Sequence, residues 1–113
     1  MKDFLFVFRS EQRTGPMPSP EEMQASMQKW MDWLGNIAAQ NHLTSAGNAL
    51  LPHGKVLQAS GMVTDGPYTE IKETIGGYSI VKAESLDEAV SLANGCPIFA
   101  VGGNVEVREI VGM

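Results

Sequence analysis

The hydrophobic positions along the chain change their period several times, and each change marks a predicted element. Residues 3–9 carry aromatic and β-branched side chains on both alternating faces, which is typical of a strand that is covered on both sides. Three further segments alternate or are rich in β-branched residues between glycines and prolines. They predict strands at 55–60, 76–84 and 104–110.

Two amphipathic helices are predicted, and each begins with a capping box. Ser19-Pro20-Glu21-Glu22 supplies an N-cap serine, a proline at the first helical position and a capping glutamate. An apolar stripe then runs to about residue 41, and we expect it to face the core, although its methionines and tryptophan could instead line a ligand cavity. The stripe consists of Met23, Met27, Trp30, Leu34, Ile37 and Ala38. Ser85-Leu86-Asp87-Glu88 opens the second helix, which Gly95 and Pro97 close.

The predicted order is β-α-β-β-α-β, the split β-α-β pattern of ferredoxin-like α+β domains, with both helices on one face of an antiparallel sheet. The connection between strands 55–60 and 76–84 is too short for a helix, so these two should form a hairpin with an elaborated tip. Because strand 3–9 is apolar on both faces, the uncovered sheet face would expose a large patch. We therefore expect a homodimer with the two sheets face to face and a barrel-like interior.

Length and composition indicate one soluble domain that spans residues 1–113. The chain is 43% hydrophobic, and no apolar run approaches the ~20 residues that a membrane span requires. The apolar run at residues 4–8 is too short for the core of a signal peptide. We expect a cytoplasmic protein that does not associate with membranes.

Charge and cysteine content exclude several kinds of partner. The formal net charge is −5, from 13 acidic and 8 basic residues, and no basic cluster offsets it, so nucleic acid is not an expected ligand. Cys96 is the single cysteine and the chain has two histidines, so no zinc site is predicted. We interpret Cys96 as a small hydrophobic residue at a helix end, and we expect neither a metal nor a cofactor.

The segment "GMVTDGPYTE" at residues 61–70 holds the main candidate for chemistry. Gly66 precedes a proline, and Pro67 has a fixed φ and no N–H, so the chain should leave regular structure at this point. Asp65-Gly66-Pro67 is therefore either a plain turn or a turn that holds the Asp65 carboxylate in place for a ligand.

Further polar residues could join Asp65 in a cleft. Tyr68 offers a ring with a hydroxyl at its tip, and Glu70 and Lys72 offer charges of both signs, although these two could equally form a solvated pair. Glu106 and Arg108 share the inward face of the last strand. They could bind a ligand, or they could pair with each other across the dimer.

These residues resemble a known family. "TDGPYTEIKETIGGYSIV", the helix start "SLDEAVSLA" and the final "GGNVEVREI" are similar to YCII-related proteins of the DGPF type. The resemblance is strongest over residues 61–110. It implies the dimeric α+β barrel fold, and it implies no particular activity.

One departure from the wider group concerns histidine. Enzyme-like YCII proteins are associated with a paired His and Asp, with the His near the start of the first helix. This chain reads "GPMPSPEEMQAS" there and has no histidine in that stretch. His53, which follows Pro52, is the nearest substitute in sequence, and it could also be a solvated loop residue.

Two functions therefore stay open. In the first, each subunit of a dimer binds a small polar or anionic metabolite near the Asp-Gly-Pro-Tyr motif. Asp65 would then be a catalytic base for proton transfer, and Tyr68 and Arg108 would orient the substrate. In the second, the protein is a non-enzymatic module that binds a metabolite or a protein, and the motif is a structural turn.

Overall fold

The computed structural model describes residues 1–11, 16–66 and 73–112. In this part of the chain no helix is long and apolar enough to cross a bilayer. The described elements alternate between strands and helices. They are β1 (Lys2–Glu11), α1 (Pro20–Ala39), β2 (Leu43–Ala49), β3 (Gly54–Leu57), β4 (Val63–Gly66), β5 (Glu73–Ala83), α2 (Leu86–Leu92), a 3-10 helix (Pro97–Val101) and β6 (Asn104–Glu109).

The main sheet has four strands in the order β2-β5-β1-β6, and its pairs are antiparallel. If β3 and β4 are set aside, the chain runs β1-α1-β2-β5-α2-β6, which is the predicted ferredoxin-like order. The α+β fold class and the antiparallel sheet are therefore confirmed. The dimeric barrel stays a prediction.

The identity of the second strand was predicted wrongly. The strand that pairs with β5 is β2, within a stretch for which no strand was predicted. The predicted strand at 55–60 is in part β3, and it pairs with β4 in a separate two-stranded hairpin. The predicted pairing of 55–60 with 76–84 is therefore wrong, because the nearer segment 63–66 closes a tighter hairpin.

The core lies between the sheet and its helices. Phe4, Phe6 and Phe8 alternate along β1 and point to the helical side, where Trp33 and Ile37 of α1 meet them. The Phe6 and Trp33 rings are stacked with centroids 6.1 Å apart. Small residues complete the cluster where α2 and the following turn approach the sheet, and these are Ala83, Ala89, Ala93 and Cys96.

The predicted apolar stripe of α1 faces the core only in part. Ile37 is buried and Trp30 and Leu34 pack against the core, as predicted. Met23 and Met27, however, are 47% and 63% exposed. Within the described residues, the first half of α1 therefore continues the helical period without burying its apolar side chains.

The serine half of both predicted capping boxes forms. The Ser19 hydroxyl accepts a hydrogen bond from the Glu22 amide at 3.1 Å, and the Ser85 hydroxyl accepts one from the Glu88 amide at 3.1 Å. In the second box the Glu88 carboxylate also accepts the Glu84 amide at 3.0 Å. These bonds satisfy amide groups that a helix start leaves free.

The β3–β4 hairpin, residues 54–66, is called the arm. It turns at residues 58–62, where the Gln58 amide donates to the Met62 carbonyl at 2.7 Å and Gly61 adopts a φ of 89°. Asp65 and Gly66 lie in β4, so the predicted turn at these two residues is instead a strand, and Pro67 lies outside the described residues. The strongest contacts of the arm are between its own two strands.

The molecule is flat and extended for its length. Its principal extents are 42 × 41 × 18 Å and its radius of gyration is 15.6 Å, against ~13 Å for a compact chain of this size. The arm and the exposed first half of α1 are surfaces that the described part of the chain leaves without full cover.

Candidate functional site

The sheet face opposite the helices, called the open face, collects the polar residues of three strands. Register places them in two rows, because directly paired residues of antiparallel strands share a face. One row is Ile80, Leu5 and Arg108, and the next is Tyr78, Val7 and Glu106. The open face therefore has an aliphatic centre, with a phenol on one side and charges on the other.

The charged side of the open face holds two guanidinium groups around one carboxylate. Arg9 donates to Glu106 Oε1 at 3.2 Å, and Arg108 Nη1 lies 3.9 Å from Glu106 Oε2. The Arg9 side chain is 29% exposed, whereas that of Arg108 is 74% exposed. Arg9 is thus fixed by a hydrogen-bonded ion pair, and Arg108 keeps N–H donors free for another acceptor.

The other side of the open face carries neutral and acidic hydrogen-bonding groups. The Asn48 amide donates to the Tyr78 hydroxyl at 3.0 Å, and this bond fixes the hydroxyl at the β2–β5 edge. Nearby along the sheet, the Thr44 hydroxyl donates to Asp3 Oδ1 at 2.9 Å. The phenolic hydroxyl still has a proton to donate, so Tyr78 can serve a ligand as a donor.

The predicted site residues are divided between two places. Arg108 lies on the open face beside Glu106, and the two approach each other to 3.9 Å within one chain, whereas the predicted alternative, a pair across the dimer, stays a prediction. Asp65 lies on the arm with its side chain 94% exposed, 3.6 Å from Lys55 Nζ, and His53 is exposed just before β3. The structure does not bring Asp65 and Arg108 into contact within one chain.

Tyr68, Glu70 and Lys72, which were predicted as ligand-binding residues, lie outside the described residues. Their roles stay predictions, as does the catalytic role of Asp65. Among the described residues, no group of three or more His, Cys, Asp or Glu side chains is placed to hold a metal ion.

Sequence reasoning missed Arg9 and Tyr78. Arg9 follows Leu5 and Val7 on one face of β1, and Tyr78 shares a face of β5 with Ile80, so the alternation along each strand was the available signal. Alternation shows which side chains share a face of one strand, but it does not show which strands lie beside it. Only the pairing of β1 with β5 and β6 brings the two residues to the same surface as Arg108.

A groove of about 790 Å³ lies on the other side of the molecule, between α1 and the segment from α2 to the 3-10 helix. Trp33 and Cys96 line it, and the Trp33 indole N–H already donates to the Asn94 carbonyl at 3.2 Å. Burial raises the pKa of the Cys96 thiol to about 11, so the thiol is protonated at neutral pH. This state agrees with its interpretation as a small hydrophobic residue and not a nucleophile.

The chain was compared with protein families, with curated proteins and with solved structures. None of the curated proteins compared matches the chain. Among solved structures, the chain is similar to 5-chloro-2-hydroxyhydroquinone dehydrochlorinase (TftG) from Burkholderia phenoliruptrix AC1100 in complex with 2,5-dihydroxybenzoquinone. The identity is 19%, the match covers 96% of this chain and 95% of that chain, and the TM-score is 0.47. The family model of the YCII-related domain matches residues 4–113, which is nearly the whole chain. The chain therefore belongs to the YCII-related domain family.

Proposed function

We propose that this YCII-related protein is a homodimer that binds a small anion with an apolar body on the open face of its sheet. The observation that carries the proposal is the exposed guanidinium of Arg108, which shares the Glu106 carboxylate with Arg9. Two positive groups and one negative group leave a local surplus of one positive charge. In a chain with a net charge of −5, such a surplus favours an anion at this position.

The chemistry of Arg108 favours a carboxylate. A guanidinium presents its N–H donors in a planar fork that matches two carboxylate oxygens, and such charge-assisted bonds are among the strongest in proteins. Glu106 lies 3.9 Å from Arg108 and leaves most of the Arg108 side chain in solvent. An incoming carboxylate would therefore find the N–H donors of Arg108 accessible.

The centre of the open face favours a flat apolar body behind that carboxylate. Leu5, Val7 and Ile80 form the floor between Arg108 on β6 and Tyr78 on β5. These two strands flank β1 and are about 10 Å apart, which is the length of an aromatic acid with one further substituent. Tyr78 would donate a hydrogen bond to a polar group at the far end of the ligand.

The homodimer is part of the same proposal. A second sheet over the open face would exclude water from the partly exposed Leu5 and Ile80 and would strengthen the ionic contact to Arg108. We also propose a cytoplasmic location, because the apolar run at residues 4–8 is the interior strand β1 of the sheet and is needed for the core.

Binding is better supported than catalysis. Asp65, the predicted base, is almost fully exposed on the arm, where water would compete for its proton. Proton transfer by Asp65 stays a prediction for the dimer. The second function, a non-enzymatic module that binds a metabolite, requires only the side chains of the open face.

Benzoate is expected to bind the wild-type protein, and benzamide, its neutral counterpart, is expected not to bind. Arg108→Gln should raise the dissociation constant for benzoate at least about tenfold, because a hydrogen bond to a charged group contributes roughly 1.5–3 kcal/mol. Isothermal titration calorimetry measures both. Lys2→Gln is the matched control, since it removes the same charge from an exposed ion pair with Glu109 on the same sheet. Equal affinities of the two variants, or equal binding of benzoate and benzamide, would contradict the site.

The dimer contact is tested by Leu5→Arg, which places a charge in the middle of the open face. Wild type is expected to scatter light with at least twice the chain mass of 12.2 kDa, and the variant with half the wild-type mass, because it loses the contact between the two sheets. The control is Met27→Arg on the exposed half of α1, which should keep the wild-type mass. A wild-type protein of single-chain mass at micromolar concentration would disprove the homodimer.

A further inference from the structure

The arm has two different faces. Its register pairs Lys55 with Asp65 and Leu57 with Val63, and these four residues share one side, called the outer arm face. Val56 and Thr64 lie on the other side and are partly buried, with the Thr64 hydroxyl 3.5 Å from the Val56 carbonyl. The arm thus has an inner face with partial cover and an outer face open to solvent.

The outer arm face exposes more apolar surface than a solvated hairpin requires. Leu57 is 71% exposed and Val63 is 54% exposed, although they form a direct cross-strand pair. Met62 at the turn adds a third apolar side chain, at 62% exposure. A lone two-stranded hairpin is marginally stable in water, and contiguous exposed apolar side chains mark contact surfaces.

The charges of the outer arm face indicate what covers it. Lys55 and Asp65 lie side by side, 3.6 Å apart, with side chains 72% and 94% exposed, so their own pair contributes little to stability. The patch has a positive residue on one strand and a negative residue on the other. It is therefore complementary to itself after a two-fold rotation along the strands, since each charge then meets its opposite. The outer arm face is also neutral as a whole. Two chains that each carry a net charge of −5 repel each other, so a neutral patch is a favourable place for them to meet.

We propose that the outer arm face binds the outer arm face of a second copy of this chain. Leu57 and Val63 pack on the same pair of the other copy, and Lys55 of each arm faces the partner's Asp65. The contact is separate from the open face and does not depend on a ligand. It assigns Asp65, in the Asp-Gly-Pro motif, a role in assembly.

A charge-sorting experiment tests this contact. Lys55→Glu makes the outer arm face doubly negative, and Asp65→Lys makes it doubly positive. Each variant alone should lose the arm contact, because like charges then meet across the two-fold axis. When the two variants are mixed in equal amounts, native mass spectrometry should find that assemblies with both chains exceed their statistical share, with a ratio at least about tenfold above random mixing.

The control pair is Lys2→Glu with Glu109→Lys. These residues form an exposed ion pair at 3.9 Å on the main sheet, outside the arm, and their variants should mix at random. Random mixing of the Lys55 and Asp65 variants as well would overturn the proposal. The double variant Lys55→Glu with Asp65→Lys restores a self-complementary face, so recovery of assembly shows that the single variants had not merely unfolded.

Leu57→Gln gives an independent measurement, because it keeps the charges and removes apolar contact. It should weaken assembly at least about tenfold in analytical ultracentrifugation, and an unchanged association constant would count against the contact. Failure of the open-face dimer is distinguishable. If Leu5→Arg leaves the wild-type mass unchanged while charge sorting succeeds, the open-face proposal fails and the arm contact stands. If Leu5→Arg halves that mass while the Lys55 and Asp65 variants mix at random, the open-face dimer stands and the arm contact fails.

Discussion

Gly47→Ala is expected to lower the free energy of unfolding by about 3 kcal/mol or more. Gly47 in β2 has a φ of 70°, a left-handed conformation that alanine adopts at a cost of about 1–2 kcal/mol. A Cβ at this position would also overlap the Tyr78 carbonyl of β5, and such backbone overlap adds about 1–3 kcal/mol. Urea denaturation followed by circular dichroism measures the loss.

Gly35→Ala is the matched control, because it makes the same chemical change where there is room. Gly35 lies within α1, and a Cβ there would meet nothing within 4 Å. Alanine is the better helix former, so this variant should gain about 0.5–1 kcal/mol. Equal denaturation midpoints for the two variants would show that β2 does not approach β5 as described.

Phe6→Ala is expected to lower the free energy of unfolding by about 3–5 kcal/mol. Phe6 is fully buried, and its ring lies 6.1 Å from that of Trp33 and 6.4 Å from that of Phe8, so the truncation leaves a cavity at the centre of the aromatic cluster. Small domains have only about 5–15 kcal/mol in total, so the denaturation midpoint should fall steeply.

Met27→Ala is the comparison for Phe6→Ala, since the periodicity of α1 predicted that Met27 also faces the core. Met27 is 63% exposed, and its truncation should change stability by no more than about 0.5 kcal/mol. A loss close to that of Phe6→Ala would mean that the first half of α1 is covered in solution, for instance by a second subunit.

The two proposed contacts divide the polar residues of the chain between binding and assembly. In these proposals Arg108 and Tyr78 would bind the ligand on the open face, whereas Lys55 and Asp65 would contact another copy through the arm. The Asp-Gly-Pro motif would then matter for function through the assembly that it supports. The test variants separate the two roles, because Arg108→Gln leaves the arm unchanged and Lys55→Glu leaves the open face unchanged.

The elements that local chemistry controls could be predicted from the sequence. The capping boxes at Ser19 and Ser85 close within four residues, so their hydrogen bonds need no other part of the chain. The alternation in β1 and β6 likewise fixes which side chains share a face, and Val105 and Val107 do oppose Phe8 and Phe6 on the helical side. From these signals the fold class follows, as does the place of Arg108 on the face of β6 opposite Val105 and Val107.

The sequence could not predict that β2, and not the segment 55–60, pairs with β5, because β2 has no strand pattern of its own. Its sequence "LTSAGNA" is small and polar, and its pairing with β5 is interrupted twice. What holds it is distant along the chain: the buried Ser79 hydroxyl donates to the Ala46 carbonyl at 2.7 Å, and Gly47 allows the close approach to Tyr78. The segment 55–57 has a clear strand pattern, yet it pairs with 63–65 because the shorter loop closes at a lower entropic cost.

The sequence by itself thus determined the helix starts and which side chains of β1 and β6 share a face, since these depend on neighbours within a few residues. The tertiary structure alone decided which strand completes the sheet and which side chains meet at the site. Arg9 and Glu106 are 97 residues apart in the chain, and only the register of β1 against β6 brings them to 3.2 Å. Register is a long-range property, because it depends on where the buried faces of separate segments fit together.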